Sequence, residues 1–348
     1  MDEIFKRLLD GISDQYDKTE GYLIYDMLKS VAIIMFGQAG RLDEIEALLD
    51  VDNLKGPLLE MFVKQRKGII RNPATFAKGV LQVTGNGVVN AGDLFETDAG
   101  IQFEAVESKS ITDVGMISIR AVKAGTTGNV PAQMIKQMPV TLPGITAVTN
   151  PEPTTDGYEA ETDDSLRERY YIAVRTPPTS GNIYHYLQWA KEVTGVGAAK
   201  IFPLERGENT VEVVIIDQEK QPASESLVKK VQDHIDPGSE GLGNGEAPIG
   251  AKCYVISATG LPINVKASVS RSTGYTVEQV KANIEQSILN YLKSIAFMQN
   301  YVSYARVGEA ILNSEGVEDY SDLLINDKAE NPQIGTKEVA ILGEMTIV

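Results

Sequence analysis

The chain has 348 residues, 48 acidic against 32 basic side chains, a formal net charge of −16 and 43% hydrophobic residues. That length suits two or three domains with real cores, while so acidic a surface opposes nucleic-acid phosphate and anionic lipid, leaving no nucleic-acid or membrane partner expected. The single cysteine, Cys253, excludes an internal disulfide, and the first residues lack the form of a signal peptide, so synthesis and folding in a cytoplasm are expected.

From Met1 to about Lys67 the pattern is helical, with Ile4, Leu8 and Ile12 at helical spacing. Asp17-Lys-Thr-Glu-Gly21 breaks the first helix. The spacing predicts a second over Tyr22–Gln38, a third including Leu42–Leu49 and a fourth over Pro57–Arg66, with Pro57 suited to a first turn. The second helix is apolar on more than one side, through Leu23, Ile24, Met27, Leu28, Val31, Ile34 and Met35, and such a surface must be covered from more than one direction. Two readings stay open: an ordinary domain core, or packing against other subunits, because a short helical region has little core of its own. Under the second, Ile4, Leu8, Ile12, Leu23, Met27, Val31 and Ile34 form the candidate subunit interface. The early apolar run Val31–Phe36 is far shorter than the roughly 20 residues that span a bilayer.

Beyond Arg71-Asn-Pro the texture becomes β, with short alternating strands between turn residues up to Ala121. A stretch punctuated by Gly125, Gly128 and the prolines 131, 139, 143, 151 and 153 then reads as a stiff extended strut. Thr162 caps the next helix, which Thr176-Pro177-Pro178 should stop. A further helix, capped by Ser180 or Thr179, carries Ile183, Leu187, Ala190 and Val193 on one face. Strands at 197–204 and 210–217 and a helix from Ser224 to Ile235 complete an α-β-β-α unit. The Gly-rich segment 236–248 reads as a flexible boundary. After it come strands at 251–258 and 262–271, a helix capped by Thr276 with an apolar stripe from Val277 through Val280, Ile284, Ile288 and Leu292 to Ile295, a strand near 301–304, a short helix at 306–314 and a strand at 317–325.

The expected class is therefore multidomain α+β: an N-terminal helical region (1–70), a small antiparallel β domain (71–144), two α+β sandwich subdomains (145–247 and 248–330) and a C-terminal tail (331–348) that forms further strands or docks onto a neighbour.

Several motifs in fixed order resemble the baseplate J-like family of contractile phage tails and phage-tail-like particles. They are Gly-x-x-Gly-Asn-Val-Pro at 125–131, Pro-Gly-Ile at 143–145, Thr-Asn-Pro at 149–151, the run Glu161–Arg169, Thr-Ser-Gly-Asn at 179–182, Val-Thr-Gly-Val-Gly at 193–197 and Ala-Pro-Ile-Gly at 247–250. The likeness extends upstream to Arg71-Asn-Pro-Ala74 and downstream to Gly308. It implies a structural baseplate wedge subunit, bundling its N-terminal helices with partner chains: a second wedge protein, further copies of itself and a sheath-initiating protein. It also implies a place in the baseplate of a virion or tailocin assembled in the bacterial cytoplasm.

The search for chemistry turns up little. Gly241-x-Gly243-x-Gly245 follows a helix, is flanked by Glu240 and Glu246 and runs into Pro248, against the strand-turn-helix of a nucleotide site. His185 and His234 lack a second histidine at ligand spacing, and His185 reads as an aromatic neighbour of Trp189. Cys253 reads as a small buried hydrophobe. The acids Glu152, Asp156, Glu159, Glu161, Asp163 and Asp164 raise the question of calcium, but the segment only loosely imitates a calcium loop and reads as a solvated approach to a helix. Arg167 and Arg169 can pair with these acids or with a partner's. No catalytic residue, cofactor, metal or small-molecule substrate is expected. The alternative function, a tail-associated enzyme degrading cell-wall polymer, would need a paired acid and nucleophile or a metal set.

Overall fold

The computed structural model describes residues 2–175 and 181–347. It divides into two compact units: Met1–Ile70 with Thr162–Tyr170, and Arg71–Glu161 with Tyr171–Val348. The class is mixed α+β, with an N-terminal helical region and a nearly closed antiparallel sheet followed by further sheets.

The first unit holds α1 (Asp2–Asp10), α2 (Leu23–Ala47), α3 (Gly56–Lys67) and the start of α4 (Asp163–Arg175). Where two helices were expected over 22–49, there is one of 25 residues. Gly37 and Gly40 do not interrupt it, since neither adopts positive φ, and a glycine within a helix costs only about 1 kcal/mol. The α3 N-terminus follows Lys55, whose side chain makes no cap bond. Asp163 takes that role from α4, its Oδ2 accepting the Gly56 N–H at 2.9 Å. Leu54, Leu59, Val63 and Leu166 are buried.

The second unit opens with β1 (Lys78–Gly85), β2 (Gly87–Val89), β3 (Leu94–Thr97), β4 (Gln102–Ala105), β5 (Lys109–Ile111), β6 (Val114–Ala121), β7 (Ile135–Gln137) and β8 (Ile145–Thr149). Six of these form one sheet in the order β7-β3-β4-β6-β1-β8, with β2 and β5 paired separately. Leu81, Val83, Phe95, Phe103, Ile117 and Ile119 fill its interior.

The stretch read as a stiff extended strut contributes two strands to this sheet, β7 and β8, which form its two edges. The buried Asn150 joins them. Its Oδ1 accepts the N–H groups of Met134 and Ile135 (both 2.9 Å), its Nδ2 donates to the carbonyls of Pro131 and Glu152 (both 2.8 Å), and its own carbonyl accepts from Gln133. Such coverage matters because open edges invite foreign pairing. The Pro-Gly-Ile motif has a steric cause: Gly144 sits at φ 80, and a Cβ there would lie 1.8 Å from the Asn86 carbonyl.

Next come α5 (Ile183–Glu192), β9 (Val196–Pro203), β10 (Thr210–Asp217), α6 (Glu225–Ile235) and β11 (Lys252–Ser257). The expected stop at Thr176-Pro177-Pro178 and the cap at Thr179 or Ser180 lie outside the described residues. The side chain that caps α5 is Asn182, accepting the His185 N–H. The α5 inner face is Tyr186, Trp189 and Ala190; Ile183, expected there, is exposed. β11 pairs in parallel with β10, so the strand expected to open the second subdomain completes this sheet instead, in the order β11-β10-β9. β10 is buried on both faces, with Val213 and Ile215 in one core and Val214 and Ile216 in another, which is why its sequence is nearly continuous in apolar residues.

The chain ends with β12 (Thr259–Arg271), α7 (Val277–Ile295), α8 (Tyr304–Leu312), β13 (Val317–Ile325) and β14 (Glu338–Ile347). α7 starts with a complete capping box between Thr276 and Gln279 and buries Val280, Ile284, Ile288, Leu292 and Ile295. Val277 lies in the first turn and is exposed. Near 301–304 only one bridge forms, Tyr301 with Gln333. The segment read as a tail supplies β14, which pairs in parallel with β12.

Candidate assembly surface

The seven residues singled out for subunit contact divide by position. Ile4 and Leu8 lie on α1 and are half-buried, and Phe5 beside them meets Tyr25 of α2 edge to face at 4.9 Å. Ile12 falls beyond the end of α1, in a turn whose N–H donates to the Leu9 carbonyl. Leu23, Met27, Val31 and Ile34 form a stripe along α2, spaced four, four and three residues apart. All four face solvent, Leu23 at 74% and Ile34 at 65% exposure. Ile33, Met35, Phe36, Leu42 and Ile45 are exposed as well, and Ala32 is buried. Scattered surface apolar side chains are ordinary, whereas here the exposed ones follow one another along a single helix.

The length of α2 also revises the sequence argument about membranes. By length and composition this helix is long and apolar enough to cross a bilayer, because it runs on past Phe36. Asp26 and Lys29 lie within it.

The acids after the sheet have separate tasks, and two of them, Asp156 and Glu161, are buried instead of solvated. Glu161 accepts the Asn72 N–H at 3.0 Å, and its carbonyl accepts from Arg71. Glu159 accepts from the Thr126 N–H and hydroxyl. Asp156 accepts from Ser226 at 2.5 Å, Ser224 at 3.3 Å and Lys230 at 3.0 Å. Burial works against its ionised form, but the Ser226 and Lys230 hydrogen bonds and the Lys230 charge outweigh it and hold the carboxyl below the ordinary value. Arg167, left open by the sequence, donates to the carbonyls of Val51 and Leu54 and to Asp164; Arg169 donates to the Ile70 carbonyl.

The residues most able to carry chemistry are likewise held in structural contacts. His185 stacks on Trp189 with centroids 4.5 Å apart and accepts the Gly181 N–H. His234 meets Glu192 at 3.2 Å, and that hydrogen bond raises its pKa despite partial burial. Burial pushes the Cys253 thiol up to about 12, with the Asp236 charge adding to the effect, so at neutral pH it is no nucleophile. The Gly-rich segment is tied down: Gly241 N–H donates to the Asp236 carboxylate, Gly250 N–H to the Gly241 carbonyl and Ala247 N–H to the Ile235 carbonyl.

Residues 80–157 match the Baseplate J-like protein barrel domain, residues 178–257 the Baseplate J-like central domain, and residues 263–348 the Baseplate J-like protein C-terminal domain. The phage-like element PBSX protein XkdT of Bacillus subtilis (strain 168) is 35% identical over 345 residues, covering 99% of this chain and 96% of that protein. The chain belongs to the baseplate J-like family. The baseplate protein gp47 of Escherichia phage Mu is 27% identical over 271 residues, 73% of this chain and 72% of its own. A chain in the cryo-EM structure of the anti-feeding prophage baseplate aligns with a TM-score of 0.41 at 12% identity, covering 98% of this chain and 90% of that one.

Two residues of the baseplate J-like motif at 125–131 have direct structural roles. Asn129 clamps the Gly157 backbone from both sides, and Gly128 passes where a Cβ would meet the methyls of Ala77 and Ala121 at 2.8 Å each. Missed in the sequence were Asn150 as the joint of the sheet edges and Asp163 as a cap on α3. Both act across more than ten residues of chain, and no local pattern announces them.

Proposed function

We propose that this baseplate J-like protein is a structural wedge subunit of a contractile tail, phage or tailocin. It would assemble through its helical unit with a second wedge protein, further copies of itself and a sheath-initiator protein. The observation that carries the reading is the exposed stripe of α2 in a chain whose family is one of baseplate proteins. Apolar side chains that no part of their own chain covers contribute most when buried by a neighbour, at roughly 25 cal/mol per Å². The charges of Asp26 and Lys29 within α2 favour a protein partner, in which they stay solvated or paired, over a lipid interior.

The test uses Leu23→Asp combined with Ile34→Asp in cells producing the particle. The purified variant should melt like the wild type and be missing from purified baseplates. Incorporation at the wild-type level would refute the role given to α2, and flotation of the wild-type chain with phosphatidylglycerol vesicles would assign the helix to lipid instead.

A further inference from the structure

The central sheet leaves β11 as an edge strand, with α6 alongside it. Lys252 N–H donates to the Asn209 carbonyl and Ala258 N–H to the Ile215 carbonyl, so the even-numbered residues face β10. Cys253, Val255 and Ser257 therefore turn their backbone groups outward. Gln232 of α6 and Asp236, the residue that follows the helix, cover the first part of that edge. Asp236 accepts the Cys253 N–H at 2.9 Å, and Gln232 donates to the Cys253 carbonyl at 3.0 Å while accepting the Val255 N–H at 2.8 Å. The coverage stops there: among the described residues, no side chain bonds the Val255 carbonyl or the Ser257 N–H.

Beside this open donor and acceptor lies a groove of 540 Å³ between α6 and β11. Ala223, Val228 and Val255 give it apolar walls, and Glu225, Lys229 and Gln232 stand along the helix side. The 11 residues of α6 make a helix about 16 Å long, room for about five residues of an extended strand. Lys229 is paired with Asp233 at 2.9 Å, whereas Glu225 has no basic partner among the described residues. The groove therefore carries a surplus negative charge near the α6 N-terminus.

We infer that this groove receives an extended segment of a different protein, which adds to β11 as a strand. The segment bonds the Val255 carbonyl and the Ser257 N–H, seats an aliphatic side chain against Val228 and sets a Lys or Arg near Glu225. At this groove, whose surplus charge is negative, a basic segment of another protein fits better than one from this acidic chain, of net charge −16. The inference rests on the assembly reading above and names a further contact within it.

The experiment compares the free full-length chain with intact particles. Hydrogen exchange at the Ser257 amide should be fast in the free chain and slow by about tenfold or more in the particle. A photo-crosslinking amino acid at Lys229 should join a segment of a different protein that contains a basic residue. Ser257→Pro removes the outward N–H at an edge position where proline is tolerated, and should abolish that cross-link while leaving the melt of the free chain unchanged. Glu225→Lys should weaken the cross-link by about two- to fivefold, the effect expected of one exposed charge pair. Equal exchange in both states, a cross-link to another copy of this chain, no cross-link, or one indifferent to Ser257→Pro would each overturn the strand. Absence of the chain from particles would overturn the assembly reading itself and this contact with it, a result distinguishable from failure of the groove alone.

Discussion

Two long helices of this chain carry apolar stripes of similar length and opposite fate. α7 buries Ile284 to 1% exposure against the C-terminal sheet, whereas α2 leaves Ile34 at 65%. In α7 the polar positions are strictly segregated, so one sheet face covers the whole stripe. In α2 apolar residues run round the helix, and among its described residues only Ala32 is buried. The first stripe is covered within one chain; the second is left exposed, and the role proposed for α2 rests on that difference.

That contrast breaks most sharply at Ile284. Ile284→Asp places a carboxylate among Val280, Ile288 and the β12 side chains, with no partner, and should cost more than about 4 kcal/mol, enough to unfold the C-terminal sheet. A thermal melt equal to wild type would remove α7 from the core. Asn150→Ala ranks next. It strips partners from two N–H groups and two carbonyls at the sheet joint, a loss of about 3–6 kcal/mol if each stranded group costs 1–3 and water reaches some of them. Hydrogen exchange at Met134 and Ile135 should rise first, and protection retained there would show that β7 and β8 hold together without Asn150.

A third change acts through pH. Burial raises the Asp217 carboxyl to about 6, with the Glu219 charge adding and the Gln221 N–H bond opposing. Because its folded pKa lies above the unfolded one, this group stabilises the native state fully below about pH 4, and that contribution is lost as pH rises through 6. Asp217→Asn keeps an acceptor for the Gln221 N–H, and should stabilise the protein by about 1–3 kcal/mol at pH 7, a difference that disappears near pH 4. Equal stability gains at both values would show that charge is not the cause. Asp163→Ala is smaller still. It removes the Gly56 cap bond and should cost about 1 kcal/mol, seen as faster exchange in the first turn of α3.

The sequence made legible whatever depends on near neighbours. The Thr276 cap, the α7 stripe from Val280 onward, the apolar run of β10 and the strand over 317–325 all follow from local sequence. Pairings over long separations were hidden. β14 meets β12 some 80 residues earlier in the chain, and β11 joins β10 across a helix and a Gly-rich loop, so both were placed outside the sheets they complete. The buried acids were misread for the same reason. Asp156 and Glu161 look like a solvated charge run, yet each finds its partners far away, at Ser226 and Lys230 and at Asn72. For α2 the signal is present and incomplete: its apolar breadth calls for cover on more than one side without saying by what, and only the burial of each side chain distinguishes Ala32 from the exposed stripe.

The change expected to matter least to the isolated chain is the one that tests the comparison most directly. Ile34→Ser alone replaces an exposed side chain, so its effect on the melt should stay within about 0.5 kcal/mol. If α2 were a core helix, the same change would cost several times as much, because a buried isoleucine contributes roughly 1.5–3 kcal/mol by area. In the particle the order should reverse, with Ile34→Ser weakening incorporation while a conservative change at a buried position, such as Ile288→Val in α7, lowers the melt by about 1 kcal/mol and leaves incorporation intact. Equal effects of the two substitutions in both measurements would mean that the helices are covered in the same way, and that α2 needs no neighbour.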